Sequence, residues 1–438
     1  MNGQEWLALL AVISGLMISL PLIRSLAVRT GASAEVSRKT VHVCMGLACL
    51  CFPWIFHSPM PVWLLALTAS SLLLILRCVP ALRNGIGCTL HGVDRVSCGE
   101  ILFAPAIATV FHAAHGNPVY YIVPVAILTV ADAAGALAGK RWGHLRYACG
   151  DDYKTVEGSL AFLACACICI FLPLYWLTDI SLMHMIAISI ILALLTMIGE
   201  GISDRGYDNL VLPLGGYFIL QRLIPLDSGE LITRLVALAI LFCLLLWGSR
   251  WSTLNGSSLL GGALLTYGCA ILGTWQYALP PIALFICHLH TSHTHQLNQR
   301  LVHSIKAVIG LTLSCLPWLI LNVNHWIPTS TGLAGVSFAM AAMLTILDIS
   351  TWVYLRKQPP HLLRSTLKGW LVGGLPGLIW LIPQSAKLAL PIGLSIISTL
   401  VVAKIIHFIQ GPEPKHQHWL IKGTLALLAS LPALLFWT

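Results

Sequence analysis

Leu235-Val236-Ala237-Leu238-Ala239-Ile240-Leu241-Phe242-Cys243-Leu244-Leu245-Leu246-Trp247 is an unbroken apolar run, and Leu7 to Ile23 carries no charge either. Such runs recur along a chain that is 57% apolar and only 9% charged. As a soluble domain it would expose far more apolar surface than water tolerates. The runs lack the alternation of outer-membrane barrel strands, so each span must satisfy its backbone polar groups as a helix. The fold is therefore predicted to be all-α, a polytopic integral membrane helical bundle. About sixteen transmembrane spans are expected, near 6–24, 41–57, 61–77, 99–115, 119–138, 158–178, 182–200, 208–225, 231–248, 256–272, 274–288, 304–321, 331–354, 366–383, 386–406 and 418–436. They fall into two halves, 1–230 and 231–438. The opening segment is expected to be a span and not a cleaved signal peptide, because it lacks a basic start and a small-residue cleavage pattern.

Loop charges predict the orientation. Arg29, Arg38 and Lys39 follow the first span, Arg77, Arg83 and Arg95 the third, Lys140, Arg141, Arg146 and Lys154 the fifth, and Arg205 the seventh. The intervening connections around 57–60, 112–118 and 177–182 hold no Lys or Arg. By the positive-inside rule the basic loops face the cytoplasm, across what is expected to be a bacterial inner membrane, and both termini face outward. The net charge of +9 then reflects topology, and no nucleic-acid or soluble partner is implied; membrane lipids are.

Of the 16 acidic residues, only Asp348 and Glu413 follow Glu230. Chemistry is thus expected in the first half, at the cytoplasmic level where nucleotides are available. Arg38-Lys39-Thr40-Val41-His42 places Arg38 and His42 on one helical face, with Glu35 a turn earlier. Asp132 sits among small residues near the inner end of the fifth span, where an ionisable group is costly and calls for a partner. Lys154-Thr155-Val156-Glu157-Gly158-Ser159, with Lys140 and Arg141 in the same loop, offers the cations, hydroxyl, carboxylate and glycine that suit a polyphosphate and its magnesium ion. No P-loop pattern is present. Glu200-Gly201-Ile202-Ser203-Asp204-Arg205-Gly206-Tyr207-Asp208-Asn209 supplies oxygen ligands suited to a hard cation. Neighbouring Asp151 and Asp152 add charge to the same loop level.

The order of these strings, closed by Pro213, resembles the polyprenol kinase family over about residues 35–225. That family includes phytol, farnesol and dolichol kinases, and its wider clan contains the phosphatidate cytidylyltransferases. The resemblance implies CTP-dependent phosphorylation of a long-chain isoprenoid alcohol. It also implies that Asp132, Lys140, Lys154, Glu157, Glu200, Asp208 and Asn209 belong to the site. Gly201-Ile202 stands where Ala or Thr followed by Val is more usual, a departure that leaves the charged positions intact. Phosphoryl transfer needs cations on the phosphate oxygens, a metal bridging phosphates and an in-line hydroxyl. Lys140, Arg141 and Lys154 are the expected triphosphate contacts, joined by Thr155, Glu157, Gly158 and Asn209. Asp132, Glu200, Asp204 and Asp208 are the expected Mg2+ ligands, one of Asp132, Glu200 and Asp208 instead accepting the hydroxyl proton. Arg38, Lys39 and His42 are further candidates, and spans two, five and seven are expected to wall the tail. A lipid-phosphate cytidylyltransferase and a transporter are the alternatives.

In the second half, Ser252 to Ala263 and Lys368 to Gly374 weakly resemble the family that includes phytyl-phosphate kinase. With Asp348 the lone intramembrane carboxylate there, a degenerate partner domain is expected. His288, His290, His293, His295 and His303 crowd one expected loop; without a carboxylate partner they are read as polar loop residues. The 14 cysteines lie mostly in apolar spans as small hydrophobes.

Overall fold

The computed structural model describes residues 3–31, 34–79, 98–150, 152–294, 305–354, 360–409 and 418–436. Arg83, Arg95, Asp151, His295, His303 and Glu413 lie outside the described residues, as do the side chains of Glu35 and His293. The chain divides into two compact units, Met1–Val236 and Ala237–Thr438.

In the first unit α1 (Gly3–Thr30), α2 (Ala34–Leu50), the single turn α3 (Phe52–Ile55), α4 (Pro59–Cys78) and α5 (Gly99–Ala113) precede α6 (Pro118–Trp142). A hairpin of β1 (Arg146–Cys149) and β2 (Asp152–Thr155) follows. The unit continues through α7 (Val156–Leu177), α8 (Leu182–Ile202) and α9 (Asp208–Leu223), and its boundary falls inside α10 (Ser228–Ser249). The core is α6, 72% buried over its apolar window.

The second unit contains α11 (Gly256–Leu272), α12 (Leu279–Thr294), α13 (Ile305–Val323), α14 (Thr329–Tyr354), α15 (Leu362–Pro383), α16 (Ser385–Ile409) and α17 (Trp419–Phe436). Here α14 is the centre, 89% buried. Its small residues let α15 approach until a Cβ at Gly373 would stand 2.8 Å from the Met340 carbonyl oxygen.

The helical, integral membrane character of the sequence is found in the structure, but not the count of sixteen. Among the described residues, nine helices are long and apolar enough to cross a membrane. Helix α9 has 16 residues, which reach about 24 Å against a hydrocarbon core of about 30 Å. Helices α5 and α11 are also short. Residues 274–288 do not form one helix, because a 3-10 turn at Trp275–Ala278 precedes α12. That helix then runs to Thr294, so His288 and His290 stand on it and not in a loop.

The hairpin also departs from an all-α chain. Its strands pair antiparallel, Tyr147 opposite Lys154 and Cys149 opposite Asp152. Gly150 takes φ +60° at the turn, a conformation that only glycine adopts without strain. Aromatic Tyr147 and Tyr153 favour the extended backbone.

Candidate functional site

The site begins at an irregularity in α6. Pro124 lacks a backbone donor, and one turn later the helix widens into a π turn, Ile127–Ala131. The Asp132 amide therefore reaches back five residues to the Ile127 carbonyl oxygen. Leu128 O accepts a hydrogen bond from His42 Nε2 at 2.8 Å instead. The same nitrogen stands 3.5 Å from Asp132 Oδ2, which is ion-paired with Lys39 Nζ at 2.5 Å. Both Lys39 and Asp132 are buried. Gly46 lets α2 approach this turn, since any Cβ there would overlap the Thr129 side chain.

The hairpin delivers the second pair. Lys154 Nζ donates to the Glu200 backbone oxygen and to Glu200 Oε1, the latter at 2.6 Å. Burial pulls the Lys154 ammonium down, but the charges of Glu200 and then Asp208 more than offset this and raise it above the ordinary lysine value. Lys154 is thus protonated throughout the physiological range. On the facing strand, burial pushes the Tyr147 phenol up to about 12, and its hydroxyl pairs with Ser159 Oγ at 2.8 Å. Cys149 Sγ donates to the Ser203 carbonyl oxygen at 3.3 Å, tying the hairpin to the turn after α8.

Lys154, Asp132 and Asp208 all act on the Glu200 charge, Lys154 most strongly, so groups from three separated strings lie within electrostatic reach of one another. Asp208 opens α9 and accepts from its neighbour's amide. Asn209 is buried, and its Oδ1 accepts no hydrogen bond.

Other candidates stand apart from these pairs. Thr155 Oγ1 caps α7 by accepting from Gly158 N at 3.2 Å. Gly158 packs α7 onto α6, where its Cβ would stand 2.8 Å from the Gly135 carbonyl oxygen. Glu157 accepts the Leu145 amide at 3.1 Å and so closes the base of the hairpin. Asp204 lies against Gly150, whose absent side chain leaves room for its carboxylate. Lys140 and Arg141 are exposed at the end of α6, about 12 to 14 Å along the axis from Asp132. Arg141 rests on the Trp142 ring, 5.2 Å from its centroid.

The structure does not gather the four candidate ligands Asp132, Glu200, Asp204 and Asp208 into one cluster. Among the described residues, no three His, Cys, Asp or Glu side chains converge to hold a metal. Asp132 and Glu200 are occupied by lysines, and Asp204 supports the hairpin. What remains is Asp208 and the orphaned oxygen of Asn209. One carboxylate and an amide oxygen suit a magnesium ion that arrives with a polyphosphate and keeps phosphate and water as its other ligands.

The sequence reading passed over Glu100. It lines one apolar cleft together with Arg38, His42 and Asn209, and its position at the head of an apolar helix was the available signal. The cleft is walled by α1, α2, α4 and α5, not by spans two, five and seven together.

In sequence, 191 residues of the chain are 26% identical to the phytol kinase of Synechocystis sp., a match covering 42% of this chain and 78% of that protein. The chain is a distant relative of a phytol kinase. No protein-family profile matches it, and no solved structure does. The relationship supports a prenyl alcohol kinase-like function and, with the long apolar helices, an integral membrane phosphotransferase.

The placement of Glu157 gives a direct check. Glu157→Ala is expected to lower the unfolding temperature slightly, as loss of one exposed hydrogen bond does, while leaving KM for nucleotide within about twofold. Thermal unfolding and nucleotide titration of turnover measure the two effects.

Proposed function

We propose that this protein transfers the terminal phosphoryl group of CTP to the hydroxyl of a long-chain isoprenoid alcohol, giving a prenyl phosphate and CDP. The observation that carries the reading is two lysine–carboxylate pairs within electrostatic reach of each other and of Asp208, the buried Lys39–Asp132 and the part-buried Lys154–Glu200. The hydroxyl oxygen bonds to the terminal phosphorus, the bridging P–O bond to CDP breaks, and the hydroxyl proton leaves to a carboxylate. Asp132, 3.5 Å from the His42 that lines the polar end of the cleft, is read as the acceptor of that proton. Lys154 carries a permanent positive charge for the phosphate oxygens, and Lys140 and Arg141 extend that charge toward the nucleotide from the rim. Asp208 and Asn209 Oδ1 would hold magnesium, which when bound neutralises charge on adjacent phosphates.

By the positive-inside rule, the basic loops near these groups support a reaction at the cytoplasmic face of an inner membrane, where nucleotide is available. The second unit is read as a partner without its own chemistry. Its lone intramembrane carboxylate, Asp348, pairs with Lys368 Nζ at 2.6 Å and accepts from Ser365 Oγ at 2.6 Å.

The test is to give purified protein CTP, magnesium and a mixture of phytol, farnesol and polyprenols, and to identify products by mass spectrometry. Prenyl monophosphates are expected. A CMP-lipid product would favour cytidylyl transfer, and no lipid product at all would overturn the reading.

A further inference from the structure

The cleft along α2 has a volume of about 950 Å³ including its open mouth. From α2 and the turn after it come Arg38, His42, Met45, Cys49 and Phe52, spaced three or four residues apart and hence one helical stripe. The stripe is charged and polar at its start and apolar beyond His42. Helix α4 adds Val62, Leu65 and Ala69 to the wall. The far end is packed shut. Phe52 and Val62 are each 1% exposed, and Phe56 meets the Phe52 ring edge-on at 5.2 Å. The Tyr121 hydroxyl donates to the Cys49 carbonyl oxygen at 2.9 Å and pins the same end.

We propose that this cleft measures the isoprenoid tail and stops it at Phe52 and Val62. The inference rests on the alcohol kinase reading, which puts the hydroxyl beside His42 and Asp132. From His42 to Phe52 is about 15 Å, and from Arg38 about 21 Å, at the helical rise. A carbon–carbon bond of about 1.5 Å advances an extended chain by ~1.25 Å. The cleft thus holds about twelve to sixteen bonds of main chain, or about three to four isoprene units. Farnesol and the geranylgeraniol–phytol class fit; a polyprenol of dolichol length does not. The occupant is identified by continuity, since His42 belongs both to the cleft and to the ionic cluster.

The full chain in bilayer discs, given CTP and farnesol, geranylgeraniol or a long polyprenol, tests this. The wild type is expected to use the long polyprenol with kcat/KM at least about tenfold below geranylgeraniol, the usual discrimination of an apolar pocket. Phe52→Ala, which opens the closed end, should raise long-polyprenol use about tenfold. Ala69→Phe, which fills the middle, should cut geranylgeraniol use by a similar factor with KM for CTP unchanged. Because either variant can fail to fold, a farnesol analogue with a diazirine at its tail end is photolysed on the wild type. Labelling of Phe52, Val62 or their sequence neighbours is expected. If alcohols are phosphorylated but the label lands outside the cleft, or neither folded variant shifts length preference, the ruler is wrong and the kinase reading stands. If the label lands at Phe52 while no alcohol is phosphorylated, the kinase reading fails and the tail site survives.

Discussion

Lys154→Met is expected to lower CTP-dependent kcat/KM by about 10²- to 10³-fold, the usual effect of removing one preorganised stabilising group. Most of that loss should lie in KM for the nucleotide if Lys154 meets its phosphates before the chemical step. The variant should also lose stability. Glu200 would be left part-buried without its cation, a loss below the ~3–5 kcal/mol of breaking a fully buried pair. The two effects separate in a second variant. Replacing both partners, Lys154→Met with Glu200→Leu, removes the orphaned charge and should return the unfolding temperature toward the wild type. Activity should not return. Recovery of turnover with recovery of stability would make the Lys154–Glu200 pair a strut and nothing more.

Asp132→Asn is expected to act on the other kinetic constant. If Asp132 accepts the hydroxyl proton, kcat should fall by about 10²- to 10⁴-fold, the range for general base catalysis, with KM for CTP little changed. The substitution leaves Lys39 buried without a carboxylate, so a stability loss of about 3–5 kcal/mol is expected here. The pair Lys39→Met with Asp132→Leu again separates stability from chemistry, and should be well folded and inactive. Steady-state kinetics and thermal unfolding of the four proteins in one detergent measure both quantities. An Asp132→Asn protein with wild-type kcat would move the base to Glu200 or Asp208.

Much of this arrangement was legible in the residues because charge is so scarce in an apolar chain. An ionisable group in a membrane helix needs a partner, and Asp132 found one in Lys39 of the basic-histidine string. The capping role of Thr155 and the packing role of Gly158 were less legible, since a hydroxyl and a glycine at a helix start serve phosphate and backbone equally well. The hairpin was hidden by its brevity. Four-residue strands at Arg146–Cys149 and Asp152–Thr155 carry too little alternation to stand out inside a charged loop. The hairpin also gives Asp204 a neighbour that spacing alone did not show, the glycine turn at Gly150. The π turn was equally unreadable. Pro124 marks a helix irregularity, but only the geometry shows the Leu128 carbonyl turned to His42. The count of sixteen is not confirmed among the described residues, where apolar helices such as Gly99–Ala113 and Gly256–Leu272 have the composition of spans but a shorter length.

The most direct measurement follows the position of a label in CTP. Wild-type protein is supplied with geranylgeraniol and CTP carrying radioactive phosphorus at either the terminal or the innermost phosphate. Terminal label is expected in the lipid product, with innermost label remaining in CDP. Innermost label in the lipid and release of pyrophosphate would show cytidylyl transfer, and would contradict a kinase at this site.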